Sequence, residues 1–139
     1  GSGAWLGRAA LEQVLLCHDG LADHGDLTRT LFAEFDNDPN AIVAFSMSAK
    51  PGDYAAFAPD VVSAADSGDA SGQAFMAKGA NYLIRGLNAL GFQPGDTLCL
   101  SGGVGGHYAR YLPASILSGN IGPRGTALDG AFHLAKSSI

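Results

Sequence analysis

The chain is poor in positive charge and has no long apolar run. Its 139 residues include 8 Lys and Arg against 13 Asp and Glu, a net charge of −5, and the basic residues are scattered. Scattered basic side chains argue against nucleic acid or an anionic membrane surface as a partner. Because the sequence shows no apolar run of 18 residues and no charged leader followed by an apolar segment, we expect a soluble cytoplasmic protein that is not exported.

Cysteine is also scarce. Cys17 falls in a predicted helix and Cys99 in a predicted buried strand, and neither belongs to a Cys-x-x-Cys pair. Two isolated cysteines of this kind are typical of free thiols in a reducing cytosol. We therefore expect neither a disulfide nor a metal site.

Strand-forming sequence is limited to residues 97–101 and 116–121, whereas apolar side chains at helical spacing recur along most of the chain. So few strands beside so many helices indicate the helical side of a larger α/β unit whose first strands lie upstream. The length fits one domain over residues 1–139. Helices are predicted, with their caps or opening residues, at 5–18 (Ser2), 27–35 (Asp26), 39–48 (Asp38 and Pro39), a turn and helix from 54 to 66 (Asp53), 70–90 (Asp69), 107–112 and 127–137 (Thr126).

Two of these helices carry further expectations. Gly79 and Gly86 lie seven residues apart on the predicted buried face of the longest helix, where each glycine costs about 1 kcal/mol relative to alanine. Close approach of another element would offset that cost. The last helix is predicted to turn one face to the core, formed by Leu128, Ala131, Phe132 and Ala135.

The most informative stretch is residues 97–107 (TLCLSGGVGGH), in which an apolar run breaks into four glycines and a helical pattern follows. Glycine lets the main chain approach a ligand closely, and a helix start presents unpaired N–H groups, so the stretch is typical of a nucleotide-binding turn. Tight packing of a helix on a sheet explains the same pattern equally well. The spacing matches neither the phosphate-binding loop nor the dinucleotide fingerprint.

Three blocks resemble, in order and spacing, the second half of the N-acetylglucosamine and glucosamine kinases of the BadF/BadG/BcrA/BcrD ATPase family, in the actin-like, sugar-kinase and Hsp70 superfamily. They are residues 1–11 (GSGAWLGRAAL), 100–104 (LSGGV) and 125–131 (GTALDGA), supported by 53–59 (DYAAFAP) and 68–70 (GDA). The resemblance implies two ribonuclease-H-like lobes with ATP and Mg²⁺ in the cleft and an amino sugar between them. This chain would be the mostly helical C-terminal lobe, an α/β fold with few strands, and the full-length protein would be a homodimer.

The resemblance also implies roles for particular residues. It places the glycine turn and the start of the following helix beside the nucleotide, with one residue contacting the nucleotide from the opposite side. The residues directly after the family's sugar-binding aspartate would lie near the acceptor sugar. The implied nucleotide-binding residues are Gly102, Gly103, Val104, His107 and Ala55, and the implied substrate-binding residues are Gly1 and Ser2.

The implied catalytic base and phosphate turn would lie upstream of Gly1, in a lobe that this chain lacks. Phosphoryl transfer needs a positioned acceptor, a magnesium ion and stabilisation of the transferred charge. We therefore expect the chain alone to be catalytically inert, with no catalytic or metal-binding residue of its own. Two alternatives stay open: a non-catalytic nucleotide-binding or dimerisation module, and the same family's ATPase activator of acyl-CoA dehydratases or reductases.

Overall fold

The fold is a group of helices packed around the first of them. A computed structural model describes residues 1–137. Among these residues, α1 contacts α2, α3, α4, α5 and α6, and α6 also contacts α5 and the 3-10 helix. The elements are α1 (Gly3–His18), α2 (Asp26–Ala33), α3 (Pro39–Ser48), α4 (Pro51–Ala55), α5 (Ala58–Asp66), α6 (Ala70–Ala89), the 3-10 helix (Gly105–Tyr111), α7 (Ala114–Leu117) and α8 (Ala127–Ser137).

Local capping explains where several helices begin. The Ser2 hydroxyl accepts a hydrogen bond from the Trp5 amide at 3.2 Å, and the Asp38 carboxylate accepts one from the Asn40 amide at 2.9 Å. Both residues were predicted as caps, and each satisfies an amide that the first helical turn leaves unpaired.

Two predicted caps are wrong by position. Asp26 is the first residue of α2, and Gly25 occupies the cap. Asp53 lies inside α4, where its carboxylate accepts a hydrogen bond from the Lys50 amide at 2.7 Å, so it acts from the third helical position. Helix α2 begins at the predicted cap itself, and α4 begins two residues before the predicted cap.

Asp69 caps α6 as predicted and also reaches a second helix. One carboxylate oxygen accepts from the Gly72 amide at 2.9 Å, and the other accepts from the Leu27 amide in α2 at 3.2 Å. Partial burial raises the pKa of Asp69, but these backbone hydrogen bonds outweigh it and hold the pKa below its ordinary value. This one side chain therefore fixes the start of α6 against the start of α2.

The core lies along the buried stripe of α1 and the helix faces turned toward it. Leu6 and Val14 of α1, Leu31 of α2 and Val61 of α5 are each 0% exposed. Tyr108 joins this core from the 3-10 helix and is 1% exposed. The predicted helical stripe of α1 is confirmed, because Leu6, Ala10, Val14 and Cys17 are all buried.

Close packing accounts for one of the two α6 glycines, Gly79 and Gly86, for which a close approach is predicted. A Cβ on Gly79 would overlap the ring of Tyr108, whereas a Cβ on Gly86 would meet nothing within 4 Å. Gly86 is exposed, so its predicted place on the buried face is wrong. Gly7 of α1 shows the same close approach as Gly79, since a Cβ there would overlap the Tyr54 carbonyl of α4.

Neither predicted strand forms a regular strand in the described residues. A single parallel bridge joins Leu98 to Asn120, with the Leu98 amide 3.1 Å from the Gly119 carbonyl oxygen and the Ile121 amide 2.8 Å from the Leu98 carbonyl oxygen. Helix α7, residues 114–117, includes the first two residues of the second predicted strand, 116–121. Cys99 is exposed rather than buried, whereas Leu98 and Leu100 on either side of it are partly buried.

The last helix has the predicted bounds and cap but not the predicted core face. The Thr126 amide donates to the Asp129 carboxylate at 2.7 Å, and the Asp129 amide donates to the Thr126 hydroxyl at 3.2 Å. Leu128 is 79% exposed and Phe132 is 71% exposed. Among the described residues of α8 none is buried, so its apolar face does not form part of the core.

None of the helices within residues 1–137 combines the length and the apolar character needed to cross a membrane.

Candidate functional site

The main candidate site is a cavity of about 850 Å³ between the start of α1, the end of α4, helix α5 and the glycine turn after Leu100. Its lining includes all seven residues to which the family resemblance gives a binding role, although they come from three separate parts of the sequence. They are Gly1, Ser2, Ala55, Gly102, Gly103, Val104 and His107.

The glycine turn forms one wall. Leu100 packs against the core just before the turn, and Gly102 adopts a φ of 81°, which favours glycine over residues with a Cβ. The Gly105 amide then donates to the Gly102 carbonyl at 3.3 Å and closes the turn. The backbone of the turn is therefore open to the cavity, with Gly102 and Gly103 exposed.

The helix after the turn differs from the prediction. It is a 3-10 helix that begins at Gly105, not an α-helix that begins at His107. Two glycines at its start and Pro113 soon after its end leave little sequence that favours a longer helix, and short tight helices are the usual result. His107 lines the cavity with its side chain exposed, and its amide donates to the Val104 carbonyl at 3.0 Å.

Tyr108 fixes this wall to the helical core. Its ring fills the space that Gly79 leaves on α6. Burial raises the pKa of Tyr108 to about 12, so the phenol is neutral at physiological pH. The glycine turn is thus held between Leu100 before it and Tyr108 after it, both of which contact the core.

The opposite wall, α5, contributes polar residues that the sequence analysis missed. Ser63, Asp66 and Ser67 line the cavity beside the apolar Ala58 and Val62. Their positions follow the three- and four-residue spacing of one helix face. That spacing was visible in the sequence, but nothing in the sequence indicated which element this face would meet.

An ion pair crosses the cavity edge. The Arg110 guanidinium of the 3-10 helix contacts the Asp66 carboxylate of α5. The pair joins α5, one wall of the cavity, to the 3-10 helix that follows the glycine turn. Both side chains are about half exposed, so solvent screens the attraction and the contact fixes geometry more than it adds stability.

A second cavity of about 990 Å³ lies beside the first, along α6. It is lined by Trp5, Lys78, Asn81 and Arg85, and the Lys78 ammonium lies 5.9 Å from the centre of the Trp5 ring. Gly1 and Ser2 line this cavity as well as the first one. The start of the chain is therefore the wall between the two cavities.

In the first cavity small apolar side chains lie beside serine hydroxyls and exposed backbone, a mixture that suits a small ligand with both apolar and polar groups. Within residues 1–137, no group of three or more His, Cys, Asp or Glu side chains could hold a metal ion.

One solved structure matches this fold over nearly the whole chain. A crystal structure from Chromobacterium violaceum, provisionally assigned as an N-acetylglucosamine kinase, matches with a TM-score of 0.85 at 31% sequence identity. The match covers 96% of this chain and 46% of that chain. The expected fold class, a mostly helical C-terminal lobe, is confirmed.

A sequence comparison gives the more specific relative. The chain is 31% identical over 135 residues to the glucosamine kinase GspK of Vibrio cholerae. The aligned residues cover 97% of this chain and 46% of that protein. No protein-family model matches the chain. The predicted relation to the amino-sugar kinases is confirmed: the chain is homologous to their C-terminal part and spans about half the length of these relatives.

Proposed function

We propose that the chain is the nucleotide-binding lobe of an ATP-dependent amino-sugar kinase, a transferase that phosphorylates glucosamine or N-acetylglucosamine. One observation carries the proposal. The seven residues with binding roles in the family resemblance come from distant parts of the sequence and line one cavity. The homology to two proteins named as amino-sugar kinases supports the choice of phosphoryl acceptor.

In this proposal the nucleotide lies in the first cavity. Backbone atoms of Gly102 and Gly103 approach the adenosine, Val104 and Ala55 contact it from two sides, and His107 lies at the edge. Gly1 and Ser2, which also line the second cavity, lie toward the amino sugar. Mg²⁺ would neutralise charge on the nucleotide phosphates, and no group of three or more His, Cys, Asp or Glu side chains within residues 1–137 could hold it.

The chain alone is inert in this proposal. Phosphoryl transfer depends on positioning the acceptor in line with the γ-phosphate and on neutralising charge with Mg²⁺. Besides hydroxyls and backbone amides, the first cavity holds the His107 ring and the Asp66 carboxylate, which is paired with Arg110, and in this proposal none of these groups activates the acceptor hydroxyl. A longer cytoplasmic protein that contains this chain would supply the base and the phosphate turn, and would form a homodimer.

Binding of a fluorescent ATP analogue to the chain, measured by anisotropy, tests the proposal. Gly103→Val adds a side chain at the exposed turn within the cavity and is expected to weaken binding at least ~10-fold, since it obstructs close backbone approach. Gly106→Val is the matched control, because Gly106 is exposed at the start of the following 3-10 helix and does not line the cavity. Its binding is expected to match that of the unaltered chain.

The same measurement addresses the second candidate, a non-catalytic dimerisation module. The exposed apolar face of α8 favours this candidate, because such faces mark contacts with other protein surfaces. A chain that binds no ATP analogue, or binds it equally well with Gly103→Val and Gly106→Val, would contradict the nucleotide-binding proposal and support the module.

A further inference from the structure

The second cavity, along α6, holds positive charge that the fold leaves without a counter-charge. Lys78 and Arg85 line it, and both are exposed members of a chain with only 8 basic residues. Neither side chain forms an ion pair or a hydrogen bond among residues 1–137, whereas Arg110 beside the first cavity is paired with Asp66. None of the described residues that line the second cavity is acidic. Its positive charge is therefore available to an anion from outside the chain.

The two cations lie on one face of α6. Positions 78, 81 and 85 follow the three- and four-residue spacing of a helix, so Lys78, Asn81 and Arg85 share one side of it. Seven residues of helix separate the Cα atoms of Lys78 and Arg85 by about 10 Å, a distance that two long side chains can bridge from either end. Asn81 lies between them, and its side-chain amide has no hydrogen-bond partner among residues 1–137.

Trp5 adds a flat apolar surface to the same cavity. Its ring is partly buried, and the Lys78 ammonium lies 5.9 Å from the ring centre, within the range of a cation–π contact. Ala74 and Ala77 extend the apolar lining, and the Tyr82 side chain is 67% exposed beside them. The cavity thus combines an aromatic surface, two unpaired cations and uncharged polar groups, a set that favours an anionic ligand with an apolar face.

We propose that the second cavity binds the phosphate monoester of a small sugar. Arg85 and Lys78 bind the phosphate, since a guanidinium offers two parallel donors to phosphate oxygens and an ammonium adds a second charge. Asn81 forms hydrogen bonds with sugar hydroxyls, and the Trp5 ring packs against the apolar face of the sugar. The volume of about 990 Å³ accommodates a ligand of this size. The inference rests on these four side chains and does not depend on the proposed nucleotide site.

Other classes of ligand use fewer of these groups. A neutral sugar leaves Lys78 and Arg85 without a counter-charge, and free phosphate leaves the Trp5 ring and the Asn81 amide unused. A metal cation would meet two charges of its own sign. A phosphorylated sugar is the class that uses the cations, the amide and the ring together.

Titration of this chain with glucose 6-phosphate, without nucleotide, tests the proposal. Trp5 is the single tryptophan of the chain, so its fluorescence reports on the second cavity directly. We expect a saturable change in fluorescence with glucose 6-phosphate and no saturation with glucose over the same concentration range. Inorganic phosphate is expected to bind at least ~5-fold more weakly than the ester, since it lacks the contacts of the sugar.

Lys78→Gln and Arg85→Gln are each expected to weaken binding of glucose 6-phosphate at least ~5-fold, since each removes a charge-assisted hydrogen bond. Calorimetry measures these affinities, because Lys78→Gln also changes the surroundings of Trp5. Lys50→Gln is the matched control: Lys50 is exposed and lines neither cavity, and its loss changes the net charge equally. Its affinity is expected to equal that of the unaltered chain.

Four results would overturn the proposal. They are no binding of glucose 6-phosphate, equal binding of glucose, equal binding of inorganic phosphate, and equal affinities in the Lys78→Gln, Arg85→Gln and Lys50→Gln variants. Because no nucleotide is present, each of these results leaves the test of the first cavity with the ATP analogue unaffected.

Discussion

Residues 1–89 and residues 90–137 have similar amphipathic patterns but very different burial. In the first region, α1, α2, α5 and α6 all bury one face. In the second region, the buried hydrophobic residues among those described are Tyr108 and Leu112. An apolar stripe becomes a core only where the chain also provides the opposing surface. The first region provides that surface itself, and the second does not.

The candidate nucleotide site lies where these regions meet. Ala55 and α5 belong to the packed region, whereas the glycine turn belongs to the open one. Tyr108 and Leu100 hold the turn against the packed region. The geometry of the first cavity therefore depends on a few contacts between a well-packed wall and a wall with little packing of its own.

The largest expected effect comes from truncating one apolar side chain in each region. Leu31→Ala removes a side chain that is 0% exposed and is expected to lower the free energy of unfolding by about 2–5 kcal/mol. Leu128→Ala removes one that is 79% exposed and is expected to change it by less than about 0.5 kcal/mol. Urea unfolding of both variants measures the difference. Equal losses would mean that α8 packs in solution.

A smaller effect is expected from the two capping aspartates. Asp69 bonds to amides of α2 and α6, and Asp69→Ala is expected to cost about 1–2 kcal/mol at pH 7. Its lowered pKa means that the ionised carboxylate stabilises the fold above the ordinary pKa of 3.8, and that this contribution is lost as the pH falls through the native pKa. The gap between the unaltered chain and Asp69→Ala should therefore shrink below pH 4.

Asp129 is the matched control for that titration. Hydrogen bonds from Thr126 lower its pKa as well, but it is fully exposed on α8. Because α8 does not support the core, Asp129→Ala is expected to leave the global unfolding midpoint unchanged from pH 7 to pH 3, measured by circular dichroism. A pH-dependent loss as large as that of Asp69→Ala would show that the two regions unfold as one unit.

The last prediction compares the reactivity of the two cysteine thiols, one in each region, and does not involve a change in stability. Cys17 is 6% exposed and its thiol lies 3.2 Å from the Asp23 carbonyl oxygen, whereas Cys99 is exposed. Reaction of the native chain with a thiol reagent is expected to modify Cys99 at least ~10-fold faster than Cys17, because a buried thiol reacts only after local opening. Cys17→Ser and Cys99→Ser assign the two rates. Equal rates would contradict the difference in burial.

Features that depend on neighbours in sequence were predictable. The Ser2 and Asp38 caps each follow from a residue and an amide two or three positions later. The hydrogen bond from the Leu27 amide to Asp69 spans 42 positions, so no pattern of neighbouring residues predicts it. Local patterns cannot show which surface a helix meets, so the buried position of Gly79 and the exposed position of Gly86 looked the same in the sequence.

The same limit applies to the strands and to the site. Residues 97–101 contain the apolar run that predicts a strand, but a strand also needs a hydrogen-bonding neighbour, and here Leu98 forms a single bridge to Asn120. The resemblance supplied seven of the residues that line the first cavity, and the polar face of α5 was missed. Which helix lies opposite the glycine turn is a property of the folded chain.

Gly1 and Ser2 form a wall that is shared by two cavities, so a ligand in one cavity would affect the affinity of the other cavity for its ligand. Ser2 is held by its bond to the Trp5 amide, so the wall and the first turn of α1 move together. A ligand that shifts this turn from one side changes the shape available on the other side. By linkage, the second ligand then affects the first to the same extent. Two binding events that share no atom would thus be coupled through two residues.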